Sequence, residues 1–264
     1  MPDTILLRED IGPVTRLTLN TPASFNALSD AMLAALKSTL TQIAHTPSVR
    51  VVILRGAGRA FCAGHDLREM QAARANPDQG AAYFADLFRR CADLMQQIQT
   101  LPQPVIAQAH GIATAAGCQL VATCDMAVAA TGTRFGVNGV NIGLFCSTPM
   151  VALTRNIPAK VAFEMLTTGA FIDAPRALEV GLINHISPPE TLDSDTLTLA
   201  QTVAAKLTAA VKIGKRAFYD QSTLSLADAY THAAAVMTEN MLWRDTAEGI
   251  AAFLEKRPPD WQNA

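Results

Sequence analysis

The chain is short of charge and of aromatic side chains. Only 17% of its 264 residues are Asp, Glu, Lys or Arg, and only 6% are Phe, Trp or Tyr. The formal net charge is -2 and the pI about 6.2, so there is no basic footprint for nucleic acid or an anionic membrane. No apolar run reaches the roughly 18 residues of a membrane-spanning helix. The five cysteines (Cys62, Cys91, Cys118, Cys124, Cys146) are odd in number and form no C-x-x-C pair, which argues against a disulfide framework or a zinc knuckle. The five histidines (45, 65, 110, 185, 232) have no metal-ligand spacing, which disfavours metal catalysis. There is no Walker A loop, no G-x-G-x-x-G opening a helix, no G-x-S-x-G elbow and no H-E-x-x-H. The opening MPDTILLRED has no basic region and carries acids early, which makes a cytoplasmic location the expectation.

Apolar residues are plentiful. They make up 50% of a 28.1 kDa chain, enough to bury a sizeable core and to exclude disorder as the main state. Residues 4–8 and 13–19 alternate around Asp10, Gly12 and Pro13 and predict a hairpin. Leu28, Met32, Leu36, Leu40 and Ile43 recur at helical spacing. Short strands are predicted at 49–54, 104–109, 126–129 and 134–137. Helices are predicted at 66–99 (with a mobile start around Asn76-Pro77-Asp78), 115–123, 149–155, 159–168 and 174–180, with a loop over 138–149. After residue 190 the pattern is helical to 256, with breaks. The whole is an α/β pattern: a core over 1–190 and a helical region over 191–264 that needs something to pack on, such as an oligomer interface.

Two strand-to-helix turns stand out. RAFCAGHDL (59–67) follows the strand VRVVIL, and AHGIATAAGCQL (109–120) follows PVIAQ. Small residues let backbone amides approach a ligand, and a helix N-terminus offers free N–H groups and a positive dipole end. Facing each other, two such turns make a two-donor oxyanion hole; apart, they are tight connections in a packed core.

These stretches, with Asn26-Ala27-Leu28, Arg134-Phe135-Gly136, GLINHI (181–186) and Phe253-Leu254-Glu255-Lys256-Arg257, resemble the crotonase, or enoyl-CoA hydratase/isomerase, superfamily over nearly the whole chain. GLFCSTP (143–149) and AAGCQL narrow the resemblance to one subgroup. The resemblance implies a spiral of ββα units with a C-terminal helical trimerisation region, assembled as a homotrimer or hexamer. The ligand it implies is an acyl-CoA thioester, with coenzyme A as part of the substrate and no separate cofactor. It places the oxyanion-hole N–H groups on His65 and Ala116. CoA contacts fall on Ala63, Asp66 and Leu67 and, from the last helix, on Phe253 and Lys256.

At the two positions where hydratases of this superfamily carry glutamates, the chain has Gln119 and Gly139. Glutamine moves no proton at useful pH and glycine has no side chain, so two-carboxylate hydration is not expected. Several residues remain as substitutes. Cys146 and Ser147 stand where some members place an acid. Cys146 is a nucleophile only if a partner such as His65 or His110 takes its proton, and a packing thiol otherwise. Asn138 and Asn141 orient a water or cap the loop. Asp66 reads as a helix cap rather than a base. Some members of the superfamily with glycine at the second glutamate position borrow an external anion as base, and Gly139 leaves that option open. If the pocket is otherwise intact, Gln119→Glu with Gly139→Glu should restore hydration. The oxyanion hole by itself serves decarboxylation or hydrolysis of a thioester, or the protein binds acyl-CoA without turning it over.

Overall fold

A computed structural model describes residues 4–262 of the chain. The outermost bounds expected for the two regions, 1 and 264, lie outside these residues. Strands β1 (Leu6–Ile11) and β2 (Val14–Leu19) form the predicted hairpin, closed by Gly12 at φ +57°. Helix α1 (Asp30–Ala44) starts where Ser29 accepts a hydrogen bond from the Met32 N–H. It buries Met32, Leu33, Leu36, Leu40 and Ile43 along one face. Strand β3 (Val51–Gly56) runs parallel to β2.

The helical stretch expected over 66–99, irregular around Asn76-Pro77-Asp78, forms as two helices separated at that point. The chain makes α2 (Leu67–Ala73) and α3 (Ala81–Thr100). Pro77 interrupts the helical ladder, and the Asp78 carboxylate takes the Gly80 and Ala82 N–H groups, which starts a new helix. The chain continues as β4 (Val105–Ala109), β5 (Ile112–Thr114), α4 (Ala116–Thr123), β6 (Met126–Ala130), β7 (Arg134–Gly136) and a 3-10 turn (Asn138–Ile142). Then follow α5 (Ser147–Asn156), α6 (Ala159–Thr168), β8 (Ile172–Asp173), α7 (Ala174–Glu179), β9 (His185–Ser187), α8 (Leu192–Ala204), α9 (Thr208–Gln221), α10 (Leu226–Met241) and α11 (Arg244–Glu255). Strands β5, β8 and β9, of two or three residues, are too short to show an alternation.

The main sheet has the order β1-β2-β3-β4-β6-β9 and is parallel from β2 onward; a small second sheet has the order β5-β7-β8. A strand of the first sheet turns into a strand of the second and then into a helix, as in β4–β5–α4, which is the expected ββα spiral. Alternate residues of each main strand point to opposite faces. Val14, Ile53, Ile106 and Val128 face α8, which adds Leu192, Ala200 and Ala204. Leu17, Val52, Leu54 and Ala107 face the larger core with α1 and α3. The division expected near 190 therefore meets a helix that covers the sheet, and the helices that stand away from it begin with α9. A buried ion pair anchors α9: Lys215 Nζ lies 2.7 Å from Asp125 and also donates to the Ile98 and Gln103 carbonyls. Among the described residues no helix is long and apolar enough to cross a membrane.

Candidate active site

The two strand-to-helix turns pack on each other. Asn26, fully buried, holds the first: its Nδ2 donates to the Ala57 and Ala60 carbonyls, and its Oδ1 accepts from the Thr21 N–H. The Cys62 carbonyl accepts from the Thr114 N–H, and Cys62 bridges Ala113, so the first turn runs along β5. Glycine permits the close approach. A Cβ on Gly64 (φ +93°) would stand 2.9 Å from the Ala115 Cβ and 3.2 Å from the Ala116 nitrogen. A Cβ on Gly117 would collide with the Cys62 carbonyl. His65, which follows Gly64, thus sits directly beside the start of α4.

Helix α4 begins without a side-chain cap. Its first N–H groups, Ala116 among them, have no acceptor within the helix, and the helix dipole makes this end positive. Ala115 turns the chain into the helix at φ +50°, rare for a residue with a Cβ, and its N–H is held by the Gly136 carbonyl at 2.9 Å. A cavity of about 160 Å³ opens at this point, lined by His65, Phe88, Ala115, Ala116, Cys146 and Ser147 among others. Its walls are mostly apolar and, among the described residues, no carboxylate lines it. An anion forming there would meet backbone donors in a setting of low dielectric.

Several proposed groups have other work. The His65 ring packs edge-on against Phe88, with centroids 5.8 Å apart. Both ring nitrogens are buried without a hydrogen-bond partner. Burial pushes the pKa down from 6.5; the Leu28 carbonyl acts the other way, more weakly and short of hydrogen-bond geometry. The ring is therefore neutral at pH 7, and its nitrogens do not open to the cavity. His110 gives no proton acceptor for Cys146: its Nε2 is engaged with the Gly58 carbonyl at 2.9 Å, and it does not line the cavity. Burial also raises the pKa of Cys146, which leaves a packing thiol rather than a thiolate. Ser147 opens α5, its hydroxyl 3.4 Å from the Phe145 carbonyl. Asn138 accepts from the Thr114 hydroxyl at 2.6 Å, tying the 3-10 turn to β5, and the Asn141 side chain packs against Gly169. Asp66 caps α2 through the Arg68 N–H at 2.8 Å.

The two glutamate positions differ in kind. Gln119 is buried on α4 and lines the adjoining groove instead, its Oε1 without a partner. At Gly139 a Cβ would collide with the Leu144 carbonyl and lie 2.8 Å from the Cys146 sulfur. The loop over 143–146 stands where the first atom of a glutamate side chain at 139 would go. The rescue by Gln119→Glu with Gly139→Glu is conditional on an intact pocket, and a side chain at 139 would have to displace the Leu144 carbonyl.

Of the expected CoA contacts, Ala63 is tied to Phe25 by its N–H and Leu67 is exposed at the start of α2. Phe253 lies exposed on α11 and Lys256 ends it; neither lines the cavity. Phe88 and Thr148 in the wall fall in the segments around 66–98 and 140–150 from which acyl-lining side chains are expected, though the sequence singles out neither residue; nor does it single out Arg59, whose guanidinium lies 4.5 Å over the Phe25 ring. Phe88 lies on the inner face of α3, and Thr148 lies in the first turn of α5, within a stretch expected to be loop.

A family model described as enoyl-CoA hydratase/isomerase matches residues 10–264. The chain belongs to the enoyl-CoA hydratase/isomerase family. Within it the chain groups with the enoyl-CoA hydratase domain-containing protein 3 sequences. The Xenopus laevis protein of that name is 44% identical over 259 residues, covering 98% of this chain and 86% of that protein. The human one is 43% identical over 250 residues, covering 95% and 81%. The crystal structure of the human protein superposes with a TM-score of 0.92 at 41% identity, over 98% of this chain and 100% of that one. An enoyl-CoA hydratase structure from Mycobacterium smegmatis gives 0.94 at 51% identity, over 98% and 99%. The expected cytoplasmic location is corrected by these relatives, since the Xenopus and human proteins are named as mitochondrial. A chain's charge and lack of a span describe its surface, not its address.

Proposed function

We propose that this family member takes acyl-CoA thioesters and stabilises an enolate or tetrahedral anion of the thioester carbonyl between the His65 and Ala116 N–H groups. The observation that carries the reading is the contact of Gly64 with the Ala115–Ala116 peptide, which brings the two donor-bearing turns together. Each such donor is worth about 10²–10³ in rate. Two-carboxylate hydration is not part of the proposal, because Gln119 transfers no proton and the Gly139 space is filled. Decarboxylation of a malonyl-type thioester fits these residues best. The carbon–carbon bond breaks, carbon dioxide leaves, and the electron pair rests as an enolate on the thioester oxygen; solvent then returns a proton to the α-carbon. No strong base is required. Thioester hydrolysis and binding without turnover are the rival outcomes. Coenzyme A enters as part of the substrate, and no further cofactor or metal is invoked.

The proposed assembly is a homotrimer or hexamer. Leu242 and Phe253 are each 82% exposed and Leu226 77%, which leaves α10 and α11 with apolar surface to cover. Light scattering gives the multiple of 28.1 kDa. The test of function is turnover of enoyl-, malonyl- and saturated acyl-CoA, with products read by mass spectrometry. Carbon dioxide from the malonyl ester supports the proposal. Hydration at ordinary enzyme rates overturns it, and bound esters without product make the protein a binder.

A further inference from the structure

The oxyanion cavity does not end at its own walls. Three helix faces lead out of it in step. On α4 the face passes from Ala116 through Gln119 to Thr123, and on α5 from Thr148 through Val151 and Ala152 to Arg155. On α3 it passes from Phe88 through Ala92 and Met95 to Gln99. Each series has the three- and four-residue steps that put side chains on one side of a helix. The first member of each lines the oxyanion cavity and the later ones line a groove of about 290 Å³; Thr148 lines both. The two spaces are bounded by the same three faces, one after the other, and meet at Thr148.

We infer that the two spaces form one channel that takes the acyl chain and selects medium-length alkyl chains, with Ala92 and Val151 setting the bore. The inference rests on the acyl-CoA reading above. Seven residues of α4 or α5 span about 10 Å, room for roughly eight methylenes beyond the thioester carbonyl. The groove walls are mainly apolar, built from Ala92, Met95, Val151, Ala152 and the stems of the longer side chains. Ala92 on α3 and Val151 on α5 are small groups in opposite walls, and neither belongs to the packed core. Large side chains there would close the channel while the oxyanion donors, on other segments, stayed in place.

The test is calorimetric binding of CoA and of saturated acyl-CoA esters with four, six, eight and ten carbons. Affinity is expected to rise up to about fourfold per methylene along the series. In Ala92→Phe, and independently in Val151→Trp, the ratio of ten-carbon to four-carbon affinity should fall at least tenfold. Both positions are partly or fully exposed, so the second variant stands in if the first fails to fold. An affinity independent of chain length, or a length dependence that both folded variants keep, overturns the channel and leaves the acyl-CoA reading standing. Failure of every ester to bind better than CoA overturns both.

Discussion

Replacing Gly64 by alanine tests the contact on which the site depends. Two costs add at this position. The residue sits at φ +93°, where an L side chain costs about 1–2 kcal/mol. The new methyl also meets Ala115 Cβ at 2.9 Å and the Ala116 nitrogen at 3.2 Å, an overpacking cost of about 1–3 kcal/mol. Gly132 supplies the control: its φ is +85°, but a Cβ there meets nothing within 4 Å. Gly132→Ala should therefore lose only the conformational part, roughly 2–6 °C in Tm for a chain of this size, and Gly64→Ala about twice that. The functional readout separates them further. Pushing the His65 and Ala116 turns apart by tenths of an ångström weakens at least one anion donor, so Gly64→Ala should lose about 10²-fold in turnover of whichever thioester is processed. Gly132→Ala should keep turnover near the wild-type level. Tm and turnover of the purified variants decide it. A Gly64→Ala protein as stable and active as Gly132→Ala would show that the two turns do not form one site.

Three other outcomes follow from the packing. Gln119→Glu with Gly139→Glu should give no hydration of an enoyl-CoA and a lower Tm than Gln119→Glu alone, because the Gly139 side chain must displace the Leu144 carbonyl; hydration by a stable double variant would refute this. Asp125→Ala removes the acceptor of Lys215, the Val105 N–H and the Tyr219 hydroxyl together, and should cost about 3–5 kcal/mol in urea unfolding. Lys215→Met in the same chain should recover part of that loss, since it removes the stranded ammonium. His65 has a folded-state pKa below 6.5, so the unfolded chain binds its proton first as the pH drops. Its contribution is full above pH 6.5 and is lost as pH falls through the folded value; unfolding midpoints from pH 7.5 to 5 should therefore drop less steeply in His65→Phe than in the wild type.

Much of this molecule is determined locally, and the sequence alone shows that part. The Met32, Leu36, Leu40 and Ile43 spacing commits α1 to one buried face, and the VRVVIL run has the apolar character of a strand covered on both sides. The small residues before His65 and Ala116 mark both turns as places where backbone can approach a ligand. Gln119 and Gly139 declare by chemistry alone that no carboxylate works there. What tertiary structure decided concerns space between segments far apart in the chain. That Gly64 touches Ala115 depends on β3 and β4 being neighbours, a long-range pairing no local pattern encodes. That Gly139 has no room for a side chain depends on where the loop over 143–146 returns. Whether Cys146 and His65 are reactive depends on burial, which shifts their proton affinities only after the chain has packed around them. The sequence names the functional groups; the fold decides which of them meet, which are sealed away, and where the space between them leads.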